Sequence, residues 1–165
     1  MTAAFIDAIA NKNAYAKGAS KGGVKPTTFR LRTQLLDQGR SNTYLADTKN
    51  MWATLKVYAS GGENGLHAHP NEDHMFVIMQ GSARFYGPND ETVDLGKYEG
   101  IMLPAGSYYK FHATGDEPLV LMRVGCRAGE QDPAGRLNIK GEAMPGDSKE
   151  NGRVEMIPRP DAWFG

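Results

Sequence analysis

The chain has 165 residues, 40% of them hydrophobic, so one domain with a real core is expected and wholesale disorder is excluded. Nineteen basic and nineteen acidic residues cancel, which argues against nucleic-acid or membrane-surface binding as the main task. Gly 20 and Pro 9 together make 29 residues, about 18% of the chain against roughly 12% in average usage, so the sequence is rich in turns and points to a β-protein. Cys126 is the only cysteine, so no intrachain disulfide can form and a reducing cytoplasm is the expected home. Its own environment is expected to be that of a small buried residue.

In chain order, residues 3–16 are expected to be helical, with Phe5, Ile6 and Ile9 on one face and Thr2 as cap. The apolar part of this segment is broken by Asp7, unlike a secretory signal, and no window approaches the roughly 20 apolar residues of a membrane span. A flexible stretch, KGASKGG (17–23), precedes TFRLRTQLL (28–36), which begins with the alternation of a strand. MWATLKVYAS (51–60) alternates likewise, and Gly61, Gly62 and Gly65 then interrupt the chain. Beyond Met75 short strands follow one another, MFVIMQG, SARFYG, TVDLG, GIMLPAG, YYKFHA and LVLMRVG, separated by Gly, Pro, Asn and Asp. That spacing predicts an all-β sandwich or barrel. Residues 127–165 read as polar and extended, with Trp163 and Phe164 docked on the body or on a partner subunit. Residues 1–50 are an N-terminal extension, 51–126 the core, and the remainder part of the same single domain. Since TFRLRTQLL cannot satisfy its backbone alone, the extension is expected to form an intersubunit sheet or to cover the barrel mouth.

Three of the four histidines fall within HAHPNEDH (67–74). His67 and His69 are two apart, so on a strand both imidazoles project to one side. PNED has turn composition, and His74 would open the next antiparallel strand opposite the pair. One hairpin would thus gather three nitrogens around a zinc-like ion. Glu72 shares the parity of His74 only if the strand begins early; at a turn position it and Asp73 are expected to be solvated.

GGENGLHAHPNEDHMFVIMQG resembles the first motif of the cupins, G-x5-H-x-H-x3 or 4-E-x6-G. Gly61 stands at the opening glycine and Gly81 at the closing one, but His74 occupies the glutamate slot. The second cupin motif, G-x5-P-x-G-x2-H-x3-N, is matched in part by YEGIMLPAGSYYKFHA. Pro104 and Gly106 fit, whereas Tyr98, Tyr109 and Ala113 fill the glycine, histidine and asparagine slots. The resemblance, over about residues 52–126, implies a cupin double-stranded β-helix, a jelly-roll barrel that often dimerises, with a metal at its mouth. Carried over residue by residue, the site would be His67, His69, His74 and Tyr109. Tyr109 would act as phenolate ligand, as hydrogen-bond partner of a metal-bound water, or as pocket lining. His112 would replace the missing histidine only if a bulge turned it inward.

Imidazole donors suit Fe, Zn, Cu and Ni, and Mn is also found in cupins. Three neutral imidazoles would leave a divalent ion its full charge and favour an anionic, chelating substrate of enol, phenol or hydroxycarbonyl type. By resemblance to three-histidine cupins, the expected function is a mononuclear Fe(II)-dependent dioxygenase. The alternatives are a Zn- or Mn-dependent isomerase, lyase or decarboxylase, and a non-catalytic small-ligand-binding cupin. Strand parity makes Phe76, Ile78, Tyr58, Met102 and Phe111 candidate pocket residues, with Arg84 a candidate partner for a substrate carboxylate. Arg123 is expected to face outward.

Overall fold

The computed structural model describes residues 26–127, 135–146, 151–152 and 154–165. The helix expected over 3–16 lies outside them. Twelve strands are described: β1 (Thr33–Gln38), β2 (Arg40–Asp47), β3 (Met51–Tyr58), β4 (His67–Ala68), β5 (Glu72–Gln80), β6 (Ala83–Tyr86), β7 (Thr92–Leu95), β8 (Gly100–Leu103), β9 (Lys110–Ala113), β10 (Leu119–Arg127), β11 (Leu137–Asn138) and β12 (Ile157–Phe164). One sheet has the order β2-β3-β10-β5-β8 and another β7-β6-β9; β4 pairs with β11 and β1 with β12. The result is the all-β jelly-roll barrel that the sequence resemblance implies. Among the described residues, no helix is long and apolar enough to cross a membrane.

Period-two alternation builds two apolar layers on opposite faces of the five-stranded sheet. Inward residues Tyr58, Phe76, Ile78, Leu119 and Leu121 join Phe85, Leu95, Tyr109 and Phe111 from the facing strands in the barrel core. Outward residues Leu55, Val57 and Val120 meet Leu35, Leu36 and Leu45, with Phe164 packed against them. Thus β1 finds its backbone partner in β12 of the same chain, and Trp163 stands opposite Gln34 there, under the Arg32 guanidinium at 4.9 Å. The tail expected to be loop-like supplies two strands, because Ile157–Phe164 can complete the otherwise unpaired edge of β1. Cys126, expected to be buried, is exposed, since its position on β10 follows the outward set.

Two turns position the second half of the site. Pro104, Ala105, Gly106 and Ser107 form a turn closed by the Ser107 N–H on the Pro104 carbonyl at 3.0 Å, with Gly106 at φ 81. Only a residue free of Cβ crowding adopts that third position readily. The Gly106 N–H donates to the His69 carbonyl at 2.8 Å, and Ala105 N–H donates to Asp73 Oδ1 at 2.8 Å. Asp73 is therefore a turn anchor and not a solvated turn residue.

Before β8, Tyr98 donates its N–H to the Ile78 carbonyl at 2.8 Å, and Ile78 returns a bond to Glu99. This pairing holds Tyr98 at φ 72, a conformation costly for a side chain with a Cβ. Tyr98 is 75% exposed, so its ring contributes little packing in exchange. Replacement Tyr98→Gly is expected to raise unfolding stability by about 1 kcal/mol. Urea denaturation of the two proteins checks this, and an unchanged or lower midpoint would show that the ring compensates for the strain.

Candidate metal centre

The turn after His69 is shorter than the composition of PNED suggests: it occupies Pro70 and Asn71, and β5 already begins at Glu72. Glu72, His74, Phe76 and Ile78 therefore all point into the barrel. His67 and His69 do not lie opposite His74 in one hairpin. Strand β4 pairs instead with β11, and His67 forms a backbone bridge with Tyr109, His67 N–H to Tyr109 carbonyl at 3.1 Å and the reverse bond at 2.9 Å. The chain crosses from one sheet to the other between 69 and 72, so the histidines converge from two walls of the barrel.

They converge closely. Ring centroids are 4.4 Å apart for His69 and His74, 5.1 Å for His67 and His69, and 4.6 Å for His67 and Tyr109. His69, Glu72 and His74 each offer one donor atom within 4.8 Å of the others, a group that could hold a metal ion. Glu72 Oε2 lies 3.1 Å from His74 Nε2 and 3.6 Å from His69 Nδ1. The carboxylate missing from position 74 is thus supplied two residues earlier on the same strand face. Sequence parity contained that signal, but the turn reading of PNED set Glu72 aside.

Protonation states follow from the partners. His67 Nδ1 lies 2.7 Å from the Gly65 carbonyl, which can only accept, so Nδ1 carries the proton and the Nε2 lone pair is free. His67 Nε2 and His69 Nδ1 are buried and have no hydrogen-bond partner among the described residues. Burial first, and then the charges of Arg136 and Arg123, pull the His67 pKa down to about 3. Burial likewise lowers His74 to about 4, against an opposing hydrogen bond with Glu72, and lowers His69 as well. All three imidazoles are neutral at physiological pH. Burial would raise the Glu72 carboxyl, but hydrogen bonds with His74 and Trp52 outweigh it and hold the group below its ordinary range. Orphaned imidazole nitrogens beside an ionised carboxylate fit a divalent cation.

Arg123, expected outward, is 8% exposed and lies inside the site. Register places it between Thr54 on β3 and Phe76 on β5, both inward positions. Its Nη2 lies 3.2 Å from His69 Nε2 and 2.9 Å from His74 Nε2, and its guanidinium stacks on Trp52 at 4.7 Å. The Trp52 Nε1–H donates to Glu72 Oε1 at 3.3 Å. This bridge exists because Gly125 stands between Trp52 and His74 in the strand register; a Cβ there would overlap the indole ring.

The remaining candidates separate by parity. Tyr58, Phe76, Tyr109 and Phe111 line a cavity of about 180 Å³ next to His67 and Arg123. Ile78 is buried in the core beneath it. Tyr109 Oη lies 3.5 Å from His74 Nδ1, and burial raises its pKa, which keeps it a phenol. Met102 is 62% exposed, since Ile101 and Leu103 take the inward positions of β8. Arg84 points to solvent and forms a two-pronged ion pair with Asp94 at 2.6 and 2.7 Å. His112 pairs with Arg84 across β6 and β9 and packs on Tyr86 at 5.1 Å, because β9 is regular and has no bulge to turn it inward.

Solved structures share this architecture. A double-stranded β-helix protein from Klebsiella pneumoniae is 16% identical, with 55% of this chain and 79% of that one covered at a TM-score of 0.50. A cupin superfamily protein from Desulfitobacterium hafniense is 19% identical over 58% of this chain and 84% of that one, TM-score 0.51. The cupin domain of Cnp3 from Schizosaccharomyces pombe is 22% identical over 56% and 67%, TM-score 0.51. At these identities the likeness is one of fold. Residues 54–125 match the cupin domain family of the cupin-2 type. Over residues 54–125 the chain is a cupin domain. No curated protein matches this cupin in sequence. Within the cupin, the matched segment holds His67, His69, Glu72, His74, Tyr109 and Arg123, while Trp52 stands two residues before it.

Two outcomes follow for this cupin. A His67 pKa of about 3 in the folded state, against about 6.5 unfolded, means that the folded chain binds fewer protons between those values. The stability from a neutral His67 is complete above pH 6.5 and is lost as pH falls towards 3. By pH 5 the loss is expected to reach about 2 kcal/mol in chelator-treated protein. Urea midpoints at pH 7 and pH 5 measure it, and His67→Gln should flatten the slope. Separately, Gly125→Ala is expected to displace Trp52 at a cost on the order of 1–3 kcal/mol. A change in indole fluorescence with weakened metal uptake is the expected signature, and an unchanged emission spectrum would contradict it.

Proposed function

We propose that this cupin is a mononuclear Fe(II)-dependent oxygenase acting on a small anionic, chelating substrate. The observation that carries the reading is the His69, Glu72 and His74 group, two imidazoles and one carboxylate at the inner wall of a closed barrel. That donor set with open positions is the one non-heme iron oxygenases use. His67, with its free Nε2 lone pair, stands next to it as a fourth donor. Iron held there would supply one-electron oxygen chemistry to a substrate bound beside it.

The chain's own residues serve that chemistry in definite ways. Trp52 holds one oxygen of Glu72, leaving the other to face the histidines. Arg123 presents a guanidinium to any anion that enters, and its stacking on Trp52 and Phe76, at 4.7 and 5.7 Å, fixes its plane. Tyr109 keeps a proton at Oη, available for donation to an oxygen of the substrate. Phe76 and Phe111, each 1% exposed, close the floor of the cavity against water.

Anaerobic reconstitution with Fe(II) is expected to load one iron per chain, and nitric oxide should then produce a high-spin iron–nitrosyl resonance. Glu72→Gln should weaken iron retention about tenfold or more. Firm occupancy by zinc or manganese without iron uptake would replace this reading with a Lewis-acid isomerase, lyase or decarboxylase.

A further inference from the structure

The cavity beside the histidines is lined by Arg40, Lys56, Arg123 and Arg136, and among the described residues no acidic one lines it. None of the four makes an ion pair with a carboxylate among the described residues. Arg40 is held by backbone carbonyls, Nη1 on Glu63 at 3.1 Å and Nη2 on Gly146 at 3.0 Å. Carbonyls orient a guanidinium without cancelling its charge. Lys56 lies over the Tyr58 ring at 5.8 Å, on the inward face of β3. Arg123 Nε is buried and has no hydrogen-bond partner among the described residues. Burial, followed by repulsion from Arg123, Arg136 and Arg40, drives the Lys56 pKa well below its ordinary value. Buried cations are normally paired, because desolvation of an unpaired charge costs several kcal/mol.

Three guanidinium groups and the Lys56 amine, which a bound anion would help to protonate, exceed around a cavity of about 180 Å³ what one chelating anionic group at the histidines would offset. We propose that the cavity takes a small substrate with two acidic ends, the remote one a carboxylate or phosphate held by Arg40, Lys56 and Arg136. This rests on the metal reading for the near end only. Arg123, which touches both the histidines and the cavity, stands between the two ends. The remote group is recognised by charge-assisted hydrogen bonds, and the cavity is too small for a polymer to enter.

Three acids share one chelating α-hydroxycarboxylate and differ at the other end: lactate, malate and 3-phosphoglycerate. Calorimetric titration of the Fe(II)-loaded protein without oxygen is expected to show malate or 3-phosphoglycerate binding about tenfold to a hundredfold tighter than lactate. Whichever of the two is tighter identifies the remote group as carboxylate or phosphate. Lys56→Met and Arg136→Gln should each reduce that preference about tenfold. Neither should change iron content or lactate binding. Lys56→Met replaces a buried amine with an apolar side chain of similar length and should melt no lower than the parent protein, which separates lost recognition from misfolding. Equal affinity for all three acids, or a preference that survives both substitutions, overturns the proposal, as does the absence of binding by any of them. Chelator-treated protein titrated with succinate and inorganic phosphate separates the two readings. Binding there that disappears in Lys56→Met upholds the remote site even if iron is not taken up. Iron uptake without any preference among the acids defeats the remote site alone.

Discussion

Every inward group of the site depends on the register of β10 between β3 and β5. Arg123 lies between Thr54 and Phe76, and Gly125 between Trp52 and His74. Side chains alternate along a strand, so a slip of one residue would send Arg123 outward and bring Met122 and Val124 into the barrel. The two apolar layers forbid that slip from both sides. Leu119 and Leu121 are needed in the barrel core, while Val120 is needed under Leu36 and Leu45. Packing that has no part in chemistry thus sets where the arginine and the histidines meet.

Within that frame the electrostatics are unusual in one direction. The imidazoles are held neutral by burial, while three guanidinium groups and the Lys56 amine crowd the same interior. Glu72 is the acidic member of the donor group, and it is shared between Trp52 and His74. Such a concentration of basic groups in an interior costs stability, a pattern that functional sites commonly show. Arginine suits the position of Arg123 better than lysine would, because its plane can lie on Trp52 while its edge meets the imidazoles.

The departures from the usual cupin motifs acquire physical meaning in the fold. The carboxylate moves from slot 74 to position 72, and the two-residue period of β5 keeps it on the same face. The second motif's opening glycine slot is Tyr98, whose positive φ shows why a glycine suits that turn. Its histidine slot is Tyr109, tied by two backbone bonds to His67, so the phenol stands where the chain geometry requires a side chain beside the histidines.

The sequence by itself determined an all-β sandwich or barrel, which the likeness to cupin motifs narrowed to the jelly roll, the inward parity of Tyr58, Phe76, Ile78 and Phe111, and the clustering of three histidines. These rest on alternation and glycine punctuation, which are local. The roles of Glu72, Arg123, Lys56 and Arg136 were decided only by tertiary structure. Whether Glu72 belonged to the turn or to β5 hung on one residue of strand length. Arg123 shares its face with Leu119 and Leu121, yet a charged residue in an apolar strand reads as outward unless its partners are known. Those partners, Trp52, His69 and His74, are 49 to 71 positions away in the chain; Trp52 and His74 meet it through β3 and β5, and His69 through the turn that precedes β5. Met102, Arg84 and His112 fell outside the site for the converse reason. Each lies on a strand whose neighbours fill the barrel, and only the paired register reveals which neighbours those are.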